Sequence, residues 1–416
     1  DVYKRQGRRV HLVAVGPQEH GVTRHGLQTA ALAHTVLAGR WDVDLVRCAD
    51  AAQFQAAAER LRASGEAGEA VHVDVTDALF GRSPAEAAAV LREVLPESAT
   101  LALHDVPQPA EGAERYAARA AAYAELAGAF AGVVVASEHE AGFLRAACAD
   151  AGVEPAPIAV VPLPVPDGTV PGEGQAPGEV EGLERDVVVL GHLYPGKGHA
   201  EAVAALAAVR REAAERGEDL KGLPDRVTAL GPVAAGHQDL VAELEQAAAA
   251  EGLGFRVTGF VPDAQLPAAL DAAAVPFAAH RNVSASGSLA TWMGHGRRCL
   301  VPAGAYVEEM DALRPGTLHV ARAETPGTDP AADAGTAAQD VAATVSGAAD
   351  DDAVLEALTR ALAAAVADPS LTRLAPGLSL APTPEDTVRA LAEVWGRALD
   401  TSRARPTTAE GGGQDD

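Results

Sequence analysis

Between Asp186 and Gly198 the chain reads DVVVLGHLYPGKG. The apolar run Val187 to Leu190 leads straight into Gly191, then Gly196, Lys197 and Gly198, and an alanine-rich helical segment follows at once. A buried strand delivered into a glycine turn and a helix start points to an α/β fold, and the turn itself is a ready-made anion site. Glycine lets the backbone approach a ligand, the first amides of a helix point outward, and one lysine adds charge. Gly191, Gly196 and Lys197 also satisfy the G-x-x-x-x-G-K spacing of a nucleoside-triphosphate loop. The next residue, where magnesium needs a hydroxyl, is however Gly198.

The same alternation runs along the whole chain. Short apolar runs are read as strands at Val10–Val15, Val43–Val46, Val71–Val75, Thr100–Leu103, Val133–Ala136 and Ile158–Val161. A second series follows at Val187–Leu190, Val227–Leu230, Phe255–Thr258, Val275–Ala278, Cys299–Val301 and Leu318–Val320. Helical segments separate them, as in βαβ units around parallel sheets. Tyr116, Ala120, Tyr123, Ala127 and Phe130 step by four and three, which predicts one buried helix stripe.

Pro162 to Arg185 is rich in proline and glycine and reads as a linker. Ala323 to Asp352, rich in Ala, Gly, Asp and Thr, reads as a loop with one short helix at most. Thr383-Pro384-Glu385-Asp386 then opens a final helix with a cap, a first-turn proline and acids at its positive end. Val388, Leu391, Ala392, Trp395 and Leu399 form its apolar face. Residues 1–6 read as a truncation or junction, and the polar tail from Thr401 as disordered.

The length of 416 residues suits two domains of ordinary size. Aromatics are only 4% of the chain, so the cores must be built from Ala, Val and Leu. The formal charge of -25 argues against nucleic acid and anionic lipid as partners. Any anionic ligand must then be held by a local cluster. Cys48, Cys148 and Cys299 are odd in number and far apart, which fits a reducing cytoplasm rather than a disulfide framework or structural zinc. No apolar run reaches the roughly 18 residues that a membrane helix needs.

Several other groups fall at predicted strand ends. Gly21 follows the first strand, with Thr23, Arg24 and His25 as donors beside it, and helix is expected from Leu27. His104 and Asp105 follow the strand at Thr100, and Ser137 and His139 follow the one at Val133. A histidine there can bond a substrate oxygen or move a proton. His72 and Asp74 share one face of their strand. Ser284, Ser286, Gly287 and Ser288 open a helix after the strand at Val275 and make a second phosphate cradle. Two cradles in one half suit a diphosphate better than a lone phosphate.

With these motifs in hand, the chain resembles the GT-B glycosyltransferases, near their family-4 type. GVTRHGLQTAALA resembles the family's glycine loop and first helix, VHVDVTDALFG and LHDVPQP its histidine-bearing strand ends, and VVVASEHEAGFLRAA with IAVVPLPV the way out of its first domain. VVVLGHLYPGKGHAEAVAAL resembles the segment that contacts the donor diphosphate, with GFVPDAQLPAALDAAAV and GHGRRCLVP flanking the donor loop.

The resemblance implies an α/β GT-B architecture, two Rossmann-like domains facing a central cleft. It sets an acceptor domain at 7–165, a linker at 166–185, a nucleotide-sugar donor domain at 186–382, a helix at 383–400 packing back on the first domain, and a tail at 401–416. It implies a nucleotide-sugar donor, an unidentified acceptor, and neither cofactor nor metal, because helix ends and basic side chains neutralise the leaving diphosphate. Lys197 and His104 would then be the catalytic residues, with His104 at the donor sugar. Gly21, His192, Lys197, Ser286, Gly287 and Ser288 would hold the diphosphate. His25, Asp105, Ser137 and His139 would meet acceptor or sugar.

Two departures stand out. His192 takes the place of the family's arginine, and Val283 and Thr291 take the places of its two donor-loop glutamates. They leave a second reading open, a non-catalytic GT-B protein that binds a nucleotide or sugar phosphate.

Overall fold

The computed structural model describes residues 8–166, 182–280, 283, 285–323 and 351–404. The part of the linker at 167–181, most of the soft stretch after Ala323, Ser284 and the two termini lie outside the described residues. The chain divides into two compact units, one built from the described residues up to Pro164 and from Pro382 onward, the other from Val165–Ala381.

The first unit holds a six-stranded parallel sheet of β1 (Arg8–Val15), β2 (Trp41–Cys48), β3 (Ala70–Val75), β4 (Thr100–Leu103), β5 (Gly132–Val135) and β6 (Ile158–Val160), in the order β2-β1-β3-β4-β5-β6. The order reverses between β1 and β3, where open parallel sheets place their ligands. Side chains alternate across each strand. Val13, Val15, Val71, Val73 and Val75 pack under the helices Pro84–Val94, Ala113–Ala129 and Glu138–Ala151. Val10, Leu12, Ala70 and Val134 face the helix Gly21–Val36 and the final helix Pro384–Ala404.

That final helix begins with a reciprocal cap. The Thr383 hydroxyl accepts from the Asp386 amide at 3.2 Å, and Asp386 accepts from the Thr383 amide at 3.0 Å. It buries Val388, Leu391, Trp395 and Leu399. The Trp395 ring meets Trp41 at 5.7 Å and His72 at 5.6 Å. The helix continues past Leu399 into Thr401–Ala404, so the expected disordered tail does not start at Thr401. The first helix likewise starts at Gly21 rather than Leu27, because the His20 imidazole caps it by accepting from the Val22 amide.

The second unit holds β7 (Asp186–Leu190), β8 (Arg226–Leu230), β9 (Gly254–Val257), β10 (Val275–Pro276), β11 (Cys299–Pro302) and β12 (Leu318–Ala321), all paired in parallel. A bridge from Phe277 to Leu300 joins β10 to β11, giving the spatial order β9-β8-β7-β10-β11-β12. This order reverses between β7 and β10. Val187 and Val189 face the helices His199–Glu215 and Asp351–Ala367, while Val188 and Leu190 pack against Leu289, Trp292 and Met293. Strands covered on both faces read as the unbroken apolar runs seen in the sequence. Just before β7, Leu183–Arg185 form a turn with Leu183 fully buried, so this end of the expected linker belongs to the second unit's core. No helix among the described residues is long and apolar enough to cross a membrane.

Candidate functional site

Lys197 sits at the carboxyl end of β7, at the reversal point of the second unit's sheet. The glycines around it are there for space. Gly191 has φ 111°, and a Cβ on it would stand 3.4 Å from the Lys197 Nζ that lies over it. Gly198 has φ 101° and packs on Ala279, whose backbone nitrogen would be 2.8 Å from an added Cβ. Any side chain there would push the loop off β10.

Lys197 is only 8% exposed. Its ammonium donates to the Ser288 hydroxyl at 3.4 Å and lies 5.8 Å from the Tyr194 ring centroid. Among the described residues it meets no carboxylate. Burial pushes its amine down to about 8, opposed only by the Cys299 sulfur. Ser288 belongs to the helix Gly287–Gly294, capped by the Ser286 hydroxyl, which accepts from the Leu289 amide at 3.3 Å and lies 3.1 Å from the Ser288 hydroxyl. Lys197 immediately precedes the start of the His199 helix. One buried cation therefore links the amino ends of two helices, each with unsatisfied amides and a positive dipole.

Two more imidazoles lie close by. Both ring nitrogens of His199 and the Nε2 of His280 are buried without a hydrogen-bond partner. Burial and the Lys197 charge hold His199 down at about 3 and His280 well below its ordinary value. The structure thus brings Lys197, Ser286 and Ser288 together, with Gly287 exposed at the helix start. His192 is exposed and makes no hydrogen bond among the described residues. Thr291 turns its hydroxyl back to the Gly287 carbonyl at 2.8 Å.

In the first unit, Asp74 at the end of β3 gathers two histidines. The β4 ladder continues through the His104 amide, which donates to the Val75 carbonyl at 2.8 Å. His104 Nε2 lies 2.8 Å from Asp74 Oδ1 and His25 Nε2 lies 3.8 Å from the same oxygen. The two rings meet edge to face at 5.2 Å. Gly26 makes the approach possible, since a Cβ there would stand 2.8 Å from Asp74 Oδ2.

The electrostatics separate the two imidazoles. Burial pushes the Asp74 carboxyl up, but the His104 hydrogen bond and the charges of His25, His104 and His72 outweigh it and hold it down at about 2. An ionised Asp74 makes His104 Nε2 the donor. Burial pulls His104 down, but the Asp74 bond and charge, with Glu140 and Asp105, raise it above its ordinary value. Burial dominates at His25 and lowers it. One imidazole is biased toward the cation and its neighbour toward the neutral ring, a division suited to handling hydroxyl protons.

The Ser137 hydroxyl caps the Glu138 helix by accepting from the Glu140 amide at 3.0 Å, and the His139 ring packs on Phe143 at 4.6 Å. Gly21 is the exposed first residue of its helix. Asp105 turns its carboxylate to Arg119. Arg119 itself is fully buried and was not singled out from the sequence. Its signal was present: an arginine in the interior of an alanine-rich helix, three and four residues from the tyrosines of the apolar stripe.

His25, Asp74 and His104 offer ligand atoms within 4.8 Å of one another, a spacing that could hold a divalent ion. Among the described residues no other cluster does. Asp42-Val43-Asp44, a D-x-D spacing on β2, is tied up with Arg9, His11 and Arg60.

No family model matches the chain, and no curated protein matches it in sequence. Solved structures do match its fold. Anabaena HepE in complex with UDP and glucose is 14% identical, with 96% of this chain and 100% of that one covered at a TM-score of 0.55. Sucrose-phosphate synthase from Thermosynechococcus elongatus is 13% identical over 95% and 98%, TM-score 0.55. A UDP-forming α,α-trehalose-phosphate synthase from Burkholderia xenovorans is 11% identical over 95% and 97%, TM-score 0.53. With two parallel-sheet units and these neighbours, the chain has the α/β fold of the GT-B glycosyltransferases.

Proposed function

We propose that this protein is a metal-independent glycosyltransferase that moves a sugar from a nucleoside-diphosphate sugar to an acceptor hydroxyl. The observation that carries the reading is Lys197. A buried ammonium without a carboxylate is costly unless an anion joins it. Two helix amino ends and two serine hydroxyls at the same place offer what a diphosphate's oxygens need. The charge of that lysine would count most as the diphosphate leaves, when negative charge builds on the bridging oxygen.

In this reading the second unit is the donor domain, with Lys197, Ser286, Gly287 and Ser288 on the diphosphate. The first unit is the acceptor domain. His104 contacts the donor sugar, His25 lies beside it, and the exposed Gly21 leaves room for a ligand to approach the backbone. HepE has been captured with UDP-glucose, which supports a uridine donor as the first probe. Three buried free cysteines support a reducing compartment. A non-catalytic binding protein is the second reading. It is favoured by Thr291 and Val283, which supply no carboxylate where the family's donor loop has two.

A thermal-shift panel of UDP-, GDP-, ADP- and dTDP-sugars tests both. A ligand at about 100 times its dissociation constant adds about 2.7 kcal/mol. At least one donor should shift the wild type and none should shift Lys197→Ala. No shift from any donor in the wild type sinks the proposal. A shift without turnover to any acceptor or to water supports the second reading.

A further inference from the structure

Asp105 is the only non-glycine among the described residues in the left-handed region, with φ 57°. It directly follows His104 and precedes Val106, which is buried. Strained backbone of this kind persists only where its surroundings over-determine it. The side chain that bonds Asp105 itself is Arg119. Arg119 Nη2 donates to the Asp105 carbonyl at 2.6 Å and to the Asp105 carboxylate at 3.1 Å. Its Nη1 donates to Glu111 at 2.6 Å, and Nη2 also reaches Asp77 at 3.3 Å. The next turn of the same helix brings Tyr123, whose hydroxyl donates to the His104 carbonyl at 3.3 Å.

The guanidinium is placed by this turn rather than by its own full satisfaction, because its Nε is buried without a partner. It is also the buried cation among three carboxylates, Asp77, Asp105 and Glu111. Without it those acids would repel one another and the left-handed turn would lose its support. The turn is the only covalent link between the β4 end and the point where the chain re-enters the core. Its relaxation would therefore act on the residue just before it, whose imidazole must meet Asp74 within a hydrogen bond.

We propose that Arg119 is a positioning residue for His104: by clamping the strained Asp105 turn it holds the imidazole against Asp74. The substrate-side consequence rests on the reading of His104 as a group at the donor sugar. The clamp itself does not. The charged and titratable groups facing the His104 imidazole are Asp74, His25, Glu140 and Asp105, with His72 beyond Asp74. From the Arg119 helix Tyr123 touches His104 at its backbone carbonyl, so a change at Arg119 reaches the imidazole through the turn.

The test is the titration of the His104 imidazole, followed by NMR in the full chain without substrate. In Arg119→Gln its midpoint should fall by about one pH unit, the size of an ordinary environmental perturbation. Arg119→Lys, which keeps the charge and loses the fork, should fall between the two. Tyr123→Phe keeps the ring and loses the hydroxyl, and should move the midpoint in the same direction by less. An unchanged midpoint in folded Arg119→Gln overturns the proposal. If that variant does not fold, an unchanged midpoint in Tyr123→Phe overturns it. Turnover is read separately: Arg119→Gln should lower kcat about tenfold with the donor KM unchanged, since Lys197 still holds the diphosphate. A wild type with no turnover would end the glycosyltransferase reading, while the titration would still decide the clamp.

Discussion

The Nζ of Lys197 donates to the Oγ of Ser288 at 3.4 Å, and this bond is the only hydrogen bond that the ammonium makes among the described residues. It ties a glycine turn after β7 to a helix start that lies 91 residues further along the chain. A cation so placed is costly to the free protein unless an anion joins it.

Lys197→Met should therefore separate stability from binding. The methionine fills the same volume without a charge to desolvate, so the melting temperature should stay level or rise. UDP affinity measured by calorimetry should fall at least tenfold. A variant that melts lower and binds normally would make Lys197 a structural residue.

The pH dependence of donor binding follows from the same group. Burial places the free amine at about 8, and an anion binds its protonated form. Affinity should be flat below that value and weaken as pH rises through it, by up to about tenfold per pH unit. The dependence should vanish in Lys197→Met. Calorimetric titration of UDP from pH 6 to 9.5 checks it, and equal slopes in the two proteins would refute it.

Asp74→Asn should expose the His104 pair as a stability window. A depressed carboxyl stabilises above its unfolded value of about 3.9 and loses that contribution as pH falls toward 2. A raised imidazole stabilises below its unfolded value of about 6.5 and loses the contribution as pH rises through its folded value. Both contributions are present together between about pH 4 and 6.5. Urea unfolding of the variant should show its largest deficit there, and its His104 should titrate lower than in the wild type. A deficit that does not vary with pH would mean that Asp74 acts through packing.

Trp395→Ala should cost the first unit roughly 3–5 kcal/mol, as for other fully buried large side chains. Its ring lies between Trp41 and His72, so neither neighbour can collapse into the space without disturbing β2 or β3. Truncation before Thr383 should have a larger effect, because it uncovers Val10, Leu12 and Val134 as well. Chemical denaturation checks both, and an unchanged midpoint after the truncation would contradict the packing described.

Metal should leave the reaction untouched. His25, Asp74 and His104 have the spacing of a cation site, but the Asp74–His104 contact of 2.8 Å is already a closed hydrogen bond. Activity should survive a chelator, and elemental analysis of the purified protein should find no equimolar transition metal. Loss of activity on chelation, restored by one divalent ion, would reassign the cluster.

What the sequence by itself determined is whatever neighbours along the chain decide. The strands of both sheets were legible because strands covered on both faces must be apolar throughout. The glycine turn at Lys197 was legible because its glycines and lysine are close together in sequence, and the last helix because its cap and stripe are local. Cap chemistry was legible in kind but not in use. Ser137 was legible as a strand-end hydroxyl, and only the structure shows that it also caps a helix through the Glu140 amide. Tertiary structure alone decided the rest. Asp74, His104 and His25 lie on three separate elements, and only the β3–β4 register and the seating of a helix on Gly26 bring them together. Arg119 was not singled out in the sequence, and only the fold shows its bonds to the left-handed turn at Asp105. Periodicity reports which face a residue occupies. Which residues share that face is fixed by strand order and crossover, and these depend on contacts far apart in the chain.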